Sequence, residues 1–144
     1  MKLLKGKLVI SMKEKKYMVQ PTFSYSDEDM IDIISSAVYD IGYWAVIHND
    51  SNEWWEARSE TPKDYTFEDI MYHILKKGER VIILDIEQLD DEDGDFWLLT
   101  LDNLLNGIKL TIQNKYWDGD IDTIDGEIGD IIFQYALFNE IVFG

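Results

Sequence analysis

The sequence predicts an α+β domain in which antiparallel hairpins form a sheet with three or four helices packed on it. The length of 144 residues suits one compact domain, so we treat residues 1–144 as a single domain. Hydrophobic residues make up 46% of the chain and only 2 prolines occur, which argues against disorder. Strand-like pairs alternate with helix-like segments, which favours hairpins covered by helices over a parallel sheet.

The first element is a lysine-rich hairpin over residues 1–25. Segments 7–12 and 17–25 are rich in β-branched, Met and aromatic residues, and a charged turn separates them. Six lysines and one acid, Glu14, occur in the first twenty residues, so this hairpin is cationic.

A helix and a second pair of strands follow in the first half of the chain. Ser26 and the acids after it predict a helix start, since a hydroxyl accepts from free N–H groups and acids favour the positive end of the helix dipole. Apolar residues at helical spacing continue until Gly42, where we expect the helix to end. Segments 43–48 and 53–59 predict two paired strands around a polar turn.

The second half predicts two strands and three helices. Thr66 and Thr100 each predict a helix cap, and segments 81–87 and 96–99 predict the strands between these two helices. Residues 126–143 predict a C-terminal helix that is apolar on nearly every side. Such a helix must be central to the core or covered by a second chain, so we expect a homodimer through it.

The charge excludes some classes of partner and favours others. Against 29 Asp and Glu stand 13 Lys and Arg, a formal charge of -16, which argues against nucleic-acid binding through phosphates. The absence of cysteine excludes disulfides, thiolate zinc sites and cysteine nucleophiles, and it suits the reducing cytosol. With no leader and no apolar run of roughly 18 residues, we expect a cytoplasmic protein in the host cell without a membrane partner.

The acidic residues are concentrated in three segments, for which two interpretations stay open. The turn at 90–95 is either a hairpin tip in water or part of one negative surface. That surface would also include the helix face of Asp29, Asp32 and Asp40 and the loop 118–130. In the second case the carboxylates stand in for nucleic-acid phosphates and bind a basic host protein or nuclease complex. The candidate partner-binding acids outside that loop are Asp90, Asp91, Glu92, Asp93, Asp95, Asp29, Asp32 and Asp40.

Two adjacent tryptophans are a second candidate for partner binding. Read as strand residues, Trp54 and Trp55 point to opposite faces, so they cannot both enter one core layer. One of them is then either a residue of a sheet covered on both sides or an exposed aromatic anchor for a partner.

The loop 114–125 invites a calcium interpretation, because oxygen ligands at alternate positions followed by a glycine turn suit a hard cation. The candidate ligands are Asp118, Asp120, Asp122 and Asp125. Tyr116 stands where a further oxygen ligand is wanted, so a solvated turn before a helix is the alternative. We expect no cofactor, and calcium at this loop stays open.

The sequence supplies no catalytic residue. Only His48 and His73 could act as bases at neutral pH, their positions indicate structural roles, and the chain lacks the usual nucleophile, phosphate-loop and zinc motifs. We therefore expect a non-enzymatic binding protein. The alternative is a metal-dependent small-molecule-binding protein, either a ligand sponge or a hydrolase using Ca²⁺ or Mg²⁺.

Three segments carry a resemblance to known proteins: YSDEDMID at 25–32, TLDNLLNGIKL at 100–110 and DIIFQYALFNEIVFG at 130–144. Over residues 25–144 the chain resembles small acidic accessory proteins of phages, prophages and mobile elements of Gram-positive, clostridial-type bacteria. That group has no settled activity, so no site residue is carried across. The resemblance implies an inhibitor of host defence, anti-CRISPR or anti-restriction, that occupies a nucleic-acid site or binds a small-molecule signal.

Overall fold

The computed structural model describes residues 23–144 and confirms the α+β class. In this part of the chain, a three-stranded antiparallel sheet combines with five α-helices. Residues 1–22 of the predicted opening hairpin lie outside the described part of the chain. None of the helices within 23–144 has the length and apolar character needed to cross a membrane.

The sheet has the strand order β1-β2-β3. Its strands are β1 (Ala45–Ile47), β2 (Val81–Asp85) and β3 (Phe96–Leu99). Val46 lies opposite Leu84, and Ile83 lies opposite Trp97. The predicted strands at 81–87 and 96–99 are confirmed, although β2 ends at Asp85. The Asp85 side chain caps the short 3₁₀ turn that follows.

The five helices are α1 (Asp27–Val38), α2 (Asn52–Glu60), α3 (Phe67–Lys76), α4 (Leu101–Gln113) and α5 (Gly126–Phe138). Three predicted caps are confirmed: the side chains of Ser26, Thr66 and Thr100 each accept a hydrogen bond from the backbone N–H three residues later. The helix that begins after Ser26 ends at Val38 rather than at Gly42, which lies in a 3₁₀ turn instead.

The prediction of a strand at 53–59 is wrong, because this segment belongs to α2. The Ser51 side chain accepts from the Trp54 N–H at 3.1 Å and caps the helix, a signal that the two tryptophans obscured. Trp54 packs against Phe67 of α3 with ring centroids 4.7 Å apart. The neighbour of β1 is therefore β2, which is more than thirty residues away along the chain.

The C-terminal helix is shorter than predicted. It ends at Phe138, and Asn139 takes the left-handed conformation with φ 59°, so residues 139–144 leave the helix axis. Within the helix, Ile132 and Phe133 are fully buried. Contacts with α1 and α4 place α5 at the centre of the core of one chain. The homodimer stays a prediction, and the burial of α5 no longer requires it.

Two glycines let the neighbouring helices approach α5 closely. A Cβ atom at Gly107 of α4 would lie 2.4 Å from the Ile132 carbonyl oxygen. A Cβ at Gly129 of α5 would lie 2.5 Å from the Ser36 hydroxyl oxygen of α1. Such separations are shorter than any van der Waals contact, so the two helix crossings depend on the absence of side chains.

We expect Gly107→Ala to destabilise the protein, because the added methyl group would meet backbone of α5 that cannot move aside. The free energy of unfolding should fall by about 1–3 kcal/mol. Gly42→Ala is the matched control, since a Cβ added there would have no atom within 4 Å, and its stability should stay the same or rise slightly. Urea unfolding of both variants checks this; equal midpoints would contradict the close crossing.

Candidate acidic interface

Carboxylates of α1 and of the loop after α4 meet around one phenol. The Tyr25 hydroxyl donates a hydrogen bond to the Gly119 carbonyl at 2.7 Å, which ties the residues before α1 to this loop. Burial raises the pKa of Tyr25 to about 12, with further contributions from the negative charges of Asp118, Asp29 and Asp120. Asp29 of α1 and the loop acids therefore lie close enough to share an electrostatic field.

The other end of α1 also faces this segment of the chain. A Cβ atom at Gly126 would lie 2.7 Å from the Asp40 carboxylate, so the start of α5 lies against the residues that follow α1. Between these two ends, Ser36 lies against Gly129. The loop and the first turn of α5 thus follow α1 from Asp29 to Asp40.

These acids form what we term the α1–loop surface. Asp29 is half-buried, and the other members are exposed. Its members are Asp29, Asp32, Asp40, Asp118, Asp120, Asp122 and Asp125. Among the ion pairs described within residues 23–144, none involves a member of this surface; those pairs lie on and around α3. Its negative charge is therefore not cancelled by any of these pairs.

The third predicted acidic segment, the hairpin tip at 90–95, makes local contacts only. Gln88 organises it: its carbonyl oxygen Oε1 accepts from the Asp95 N–H at 2.7 Å, and its Nε2 lies 3.3 Å from the Asp95 carboxylate. Asp91 accepts from the Asp93 N–H at 2.9 Å. No described contact joins the tip to the α1–loop surface, so the structure brings together two of the three segments.

A carboxylate that the sequence analysis placed in the acidic loop 118–130 is instead buried in α5, next to the α1–loop surface. Asp130 of α5 is 7% exposed and accepts three hydrogen bonds. The donors are the Tyr43 hydroxyl at 2.6 Å, Trp44 Nε1 at 2.9 Å and Gln134 Nε2 at 3.0 Å. Burial and the bond to Asp130 raise the pKa of Tyr43 to about 12. A signal existed, because Asp130 and Gln134 are polar residues four apart in an otherwise apolar run.

Gln134 also holds the C-terminal residues in place. Its Oε1 accepts from the N–H groups of Val142 and Phe143, each at 2.7 Å, and its Nε2 donates to the Phe143 carbonyl at 3.2 Å. The Phe143 ring stacks on Trp44 with centroids 5.0 Å apart. The tail thus forms one side of a cleft of about 850 Å³ whose lining includes Asp40, Glu87, Glu127 and Asp130.

The two candidate tryptophans have different environments. Trp54 is 6% exposed and belongs to the core, so it is not available to a partner. Trp55 is 60% exposed, and its Nε1 donates to Asp50 at 2.8 Å. It lies on α2, which contacts α3, and no described contact joins it to the α1–loop surface.

The candidate calcium ligands are used in part as backbone caps. Asp118, Asp120 and Asp125 accept N–H bonds from Asp120, Asp122 and Ile128, respectively, at 2.9–3.0 Å. Within residues 23–144 no group of three or more acidic or His side chains has the geometry to hold a metal ion. Calcium binding stays a prediction that these contacts neither support nor test.

The two histidines lie apart from these acids. His73 Nε2 lies 3.0 Å from Glu60, which also accepts from Lys77 at 2.8 Å, so His73 belongs to an ion cluster at the end of α3. Lys77 and His73 lower the pKa of the Glu60 carboxyl. His48 follows β1, and its N–H donates to the Ile82 carbonyl.

In comparisons with family models, curated proteins and solved structures, the chain matches none of them. The function must therefore be argued from the chemistry of the α1–loop surface.

We expect Asp130→Leu to destabilise the protein, because the buried N–H groups of Trp44 and Gln134 would lose their acceptor. Each unsatisfied group costs about 1–3 kcal/mol. Asp130→Asn should be milder, since its amide oxygen can still accept both bonds and its NH₂ can donate to Tyr43. Urea unfolding of both variants measures the difference; if Leu and Asn had equal effects, the hydrogen bonds would not matter.

The Tyr25 phenol reports the potential of the α1–loop surface. Because its pKa is raised in the folded state, its contribution to stability is complete below pH 10 and is lost as the pH rises through about 12. Asp118→Asn should lower the Tyr25 pKa, since it removes one negative charge and keeps the capping oxygen. Asp102→Asn, on α4, is the matched control.

Titration of tyrosine labelled with ¹³C at Cζ, followed by NMR, distinguishes the individual phenols. A Tyr25 pKa that is unchanged in Asp118→Asn, or that falls equally in both variants, would show that the loop acids do not act on this site.

Proposed function

We propose that this protein is a non-enzymatic binding protein whose α1–loop surface occupies the nucleic-acid-binding site of a basic host-defence protein. The observation that carries the proposal is the placement of the acidic loop along α1, fixed by Tyr25 on Gly119 and by Asp40 beside Gly126, with acids that lie outside the described ion pairs. A target of the restriction or CRISPR type fits both this chemistry and the resemblance to phage accessory proteins.

The spacing of the carboxylates supports nucleic-acid mimicry. Asp29 and Asp40 are eleven residues apart along and just beyond α1, a distance of about 17 Å at a rise of about 1.5 Å per residue. The seven members of the surface thus supply roughly one charge per 2.4 Å, between the 3.4 Å of one DNA strand and the 1.7 Å of a duplex. A channel lined with Arg and Lys would meet a similar charge density.

The overall charge favours association with such a target. Residues 23–144 contain 28 acidic and seven basic side chains. A field of one sign accelerates encounter with an oppositely charged channel, and it weakens as salt screens it. Because nucleic acid would be repelled by the same field, this mode of binding requires a basic protein.

The test uses the full chain, immobilised, and the heparin-binding proteins of a clostridial-type bacterial lysate. Proteins captured at low salt should be released by duplex DNA, because DNA and this protein compete for one site. Capture should fall at least about tenfold between 50 and 200 mM NaCl, as expected for several charge contacts. Mass spectrometry then identifies the proteins that DNA releases.

Two variants of equal net charge decide whether the α1–loop surface is responsible. Asp29→Asn combined with Asp118→Asn and Asp120→Asn should abolish the DNA-releasable capture, since Asn keeps the capping oxygens while it removes the charge. Asp64→Asn combined with Asp102→Asn and Glu140→Gln changes three exposed acids elsewhere and should retain it. Equal loss in both variants, or capture that DNA does not release, would contradict the proposal.

A further inference from the structure

A cavity of about 340 Å³ lies between the end of α1, the strand β1 and the first turn of α3. Its apolar lining residues are Val38, Ile41, Ala45, Ile47 and Phe67. Three of these five are only half-buried, so parts of their side chains stay accessible at the cavity. Glu68 of α3 lines the same cavity. Apolar walls are therefore combined with one carboxylate.

That carboxylate is removed from water. Glu68 is 8% exposed, and within residues 23–144 its side chain takes part in none of the described ion pairs or hydrogen bonds. The neighbouring Asp69 accepts from the Thr66 N–H at 2.8 Å and completes the helix cap, so Glu68 is not needed there. A buried carboxylate costs free energy unless a cation or hydrogen-bond donors compensate its charge. A cation that enters the cavity would remove this cost.

The place of Glu68 within its helix does not explain its burial. Glu68 is the second residue of α3, Glu28 is the second residue of α1, and both helices begin with a capping box. An acid in the first turn gains from the helix dipole in both cases. Glu28 has this gain while it is exposed, whereas Glu68 is buried. The burial of Glu68 therefore belongs to the cavity and not to helix capping.

The end of α1 adds negative potential at the same cavity. Val38 is the last residue of α1, and Tyr39, its C-cap, also lines the cavity. Carbonyl groups at a helix C-terminus carry a partial negative charge, and the last turn of α1 contains no basic residue. Asp40, a member of the α1–loop surface, follows directly. A cation in the cavity would thus be attracted by Glu68 and by the end of α1 together.

We propose that this cavity binds a guanidinium cation carried on a short alkyl stem. The apolar walls suit the stem, and the Glu68 carboxylate suits the cation. Guanidinium is favoured over ammonium because it is more weakly hydrated and loses less on leaving water. It also stacks on aromatic rings, and the ring of Tyr39, which is 81% exposed, lines the cavity.

Two sources supply this chemistry: an arginine side chain presented by a protein, and a free small guanidine compound. The first would give the proposed basic partner an anchor beside the α1–loop surface. The second would make the cavity a small-molecule site. The inference does not rest on the proposed function, because its test needs only this protein and purified probes.

The test compares two probes of nearly equal shape, the cation n-butylguanidinium and the neutral n-butylurea. Each is titrated into the full chain with ¹³C-labelled methyl groups at about 0.15 M NaCl, where the field of exposed acids is largely screened. Butylguanidinium should shift the methyl signals of Val38 and Ile47 saturably and leave that of Leu110 on α4 in place. Butylurea should bind at least about tenfold more weakly. Equal binding of the two probes, or the absence of a saturable shift, would overturn the proposal, and this comparison needs no variant.

Two variants of equal net charge locate the bound cation. Glu68→Gln removes the buried charge and keeps the shape of the side chain, so butylguanidinium should bind at least about tenfold more weakly. Glu28→Gln makes the same change at the matching exposed position and should keep the dissociation constant within about twofold. Equal weakening in both variants would overturn the proposal, because the cation would then respond to the overall charge. The methyl signals of α4 and α5 verify that both variants are folded.

A peptide with blocked ends and one arginine flanked by glycines distinguishes the two sources of the cation. If it binds as tightly as butylguanidinium and shifts the same methyl signals, the result supports an arginine side chain presented by a protein. If only the free cation binds, the result supports a small guanidine compound as the ligand.

Discussion

The burial of α5 between α1 and α4 is the constraint on which the rest of the structure depends. Gly107 and Gly129 remove side chains at the two crossings, so backbone meets backbone or a small hydroxyl at distances that any larger residue would forbid. Close packing of this kind fixes the position of α5 along its axis as well as its orientation. The helix then presents Phe133 and Ile132 to the core and Asp130 to Trp44.

The same constraint creates the α1–loop surface. Because Gly129 seats α5 against Ser36, the residues just before α5 must run beside α1, and the acids of both segments come together. Asp120 caps the 3₁₀ turn at Ile121–Thr123, and Asp125 caps α5. The side chains that give the loop its charge therefore also hold its backbone in place. The cost of placing like charges side by side is tolerated because the crossing of α1 and α5 is stabilised by apolar burial.

Local signals explain which parts of the fold could be predicted from the sequence. The caps at Ser26, Thr66 and Thr100 depend on residues three apart, and the sequence analysis located them correctly. The segment at 53–59 resembles a strand in sequence because its cap, Ser51, lies within a polar turn and its aromatic residues are typical of strands. The placement of the acidic loop beside α1 depends on tertiary packing, which no local pattern contains.

The central position of α5 also has a consequence for the order in which the protein folds during its synthesis. Trp44 donates to Asp130, 86 residues later in the chain, and every other described helix and strand leaves the ribosome before α5 does. Until then, α1 and α4 expose the apolar stripes that α5 will bury, and the nascent chain remains open to chaperones and proteases. Folding of the acidic domain therefore waits until α5 has been synthesised, whatever the speed of its individual helices.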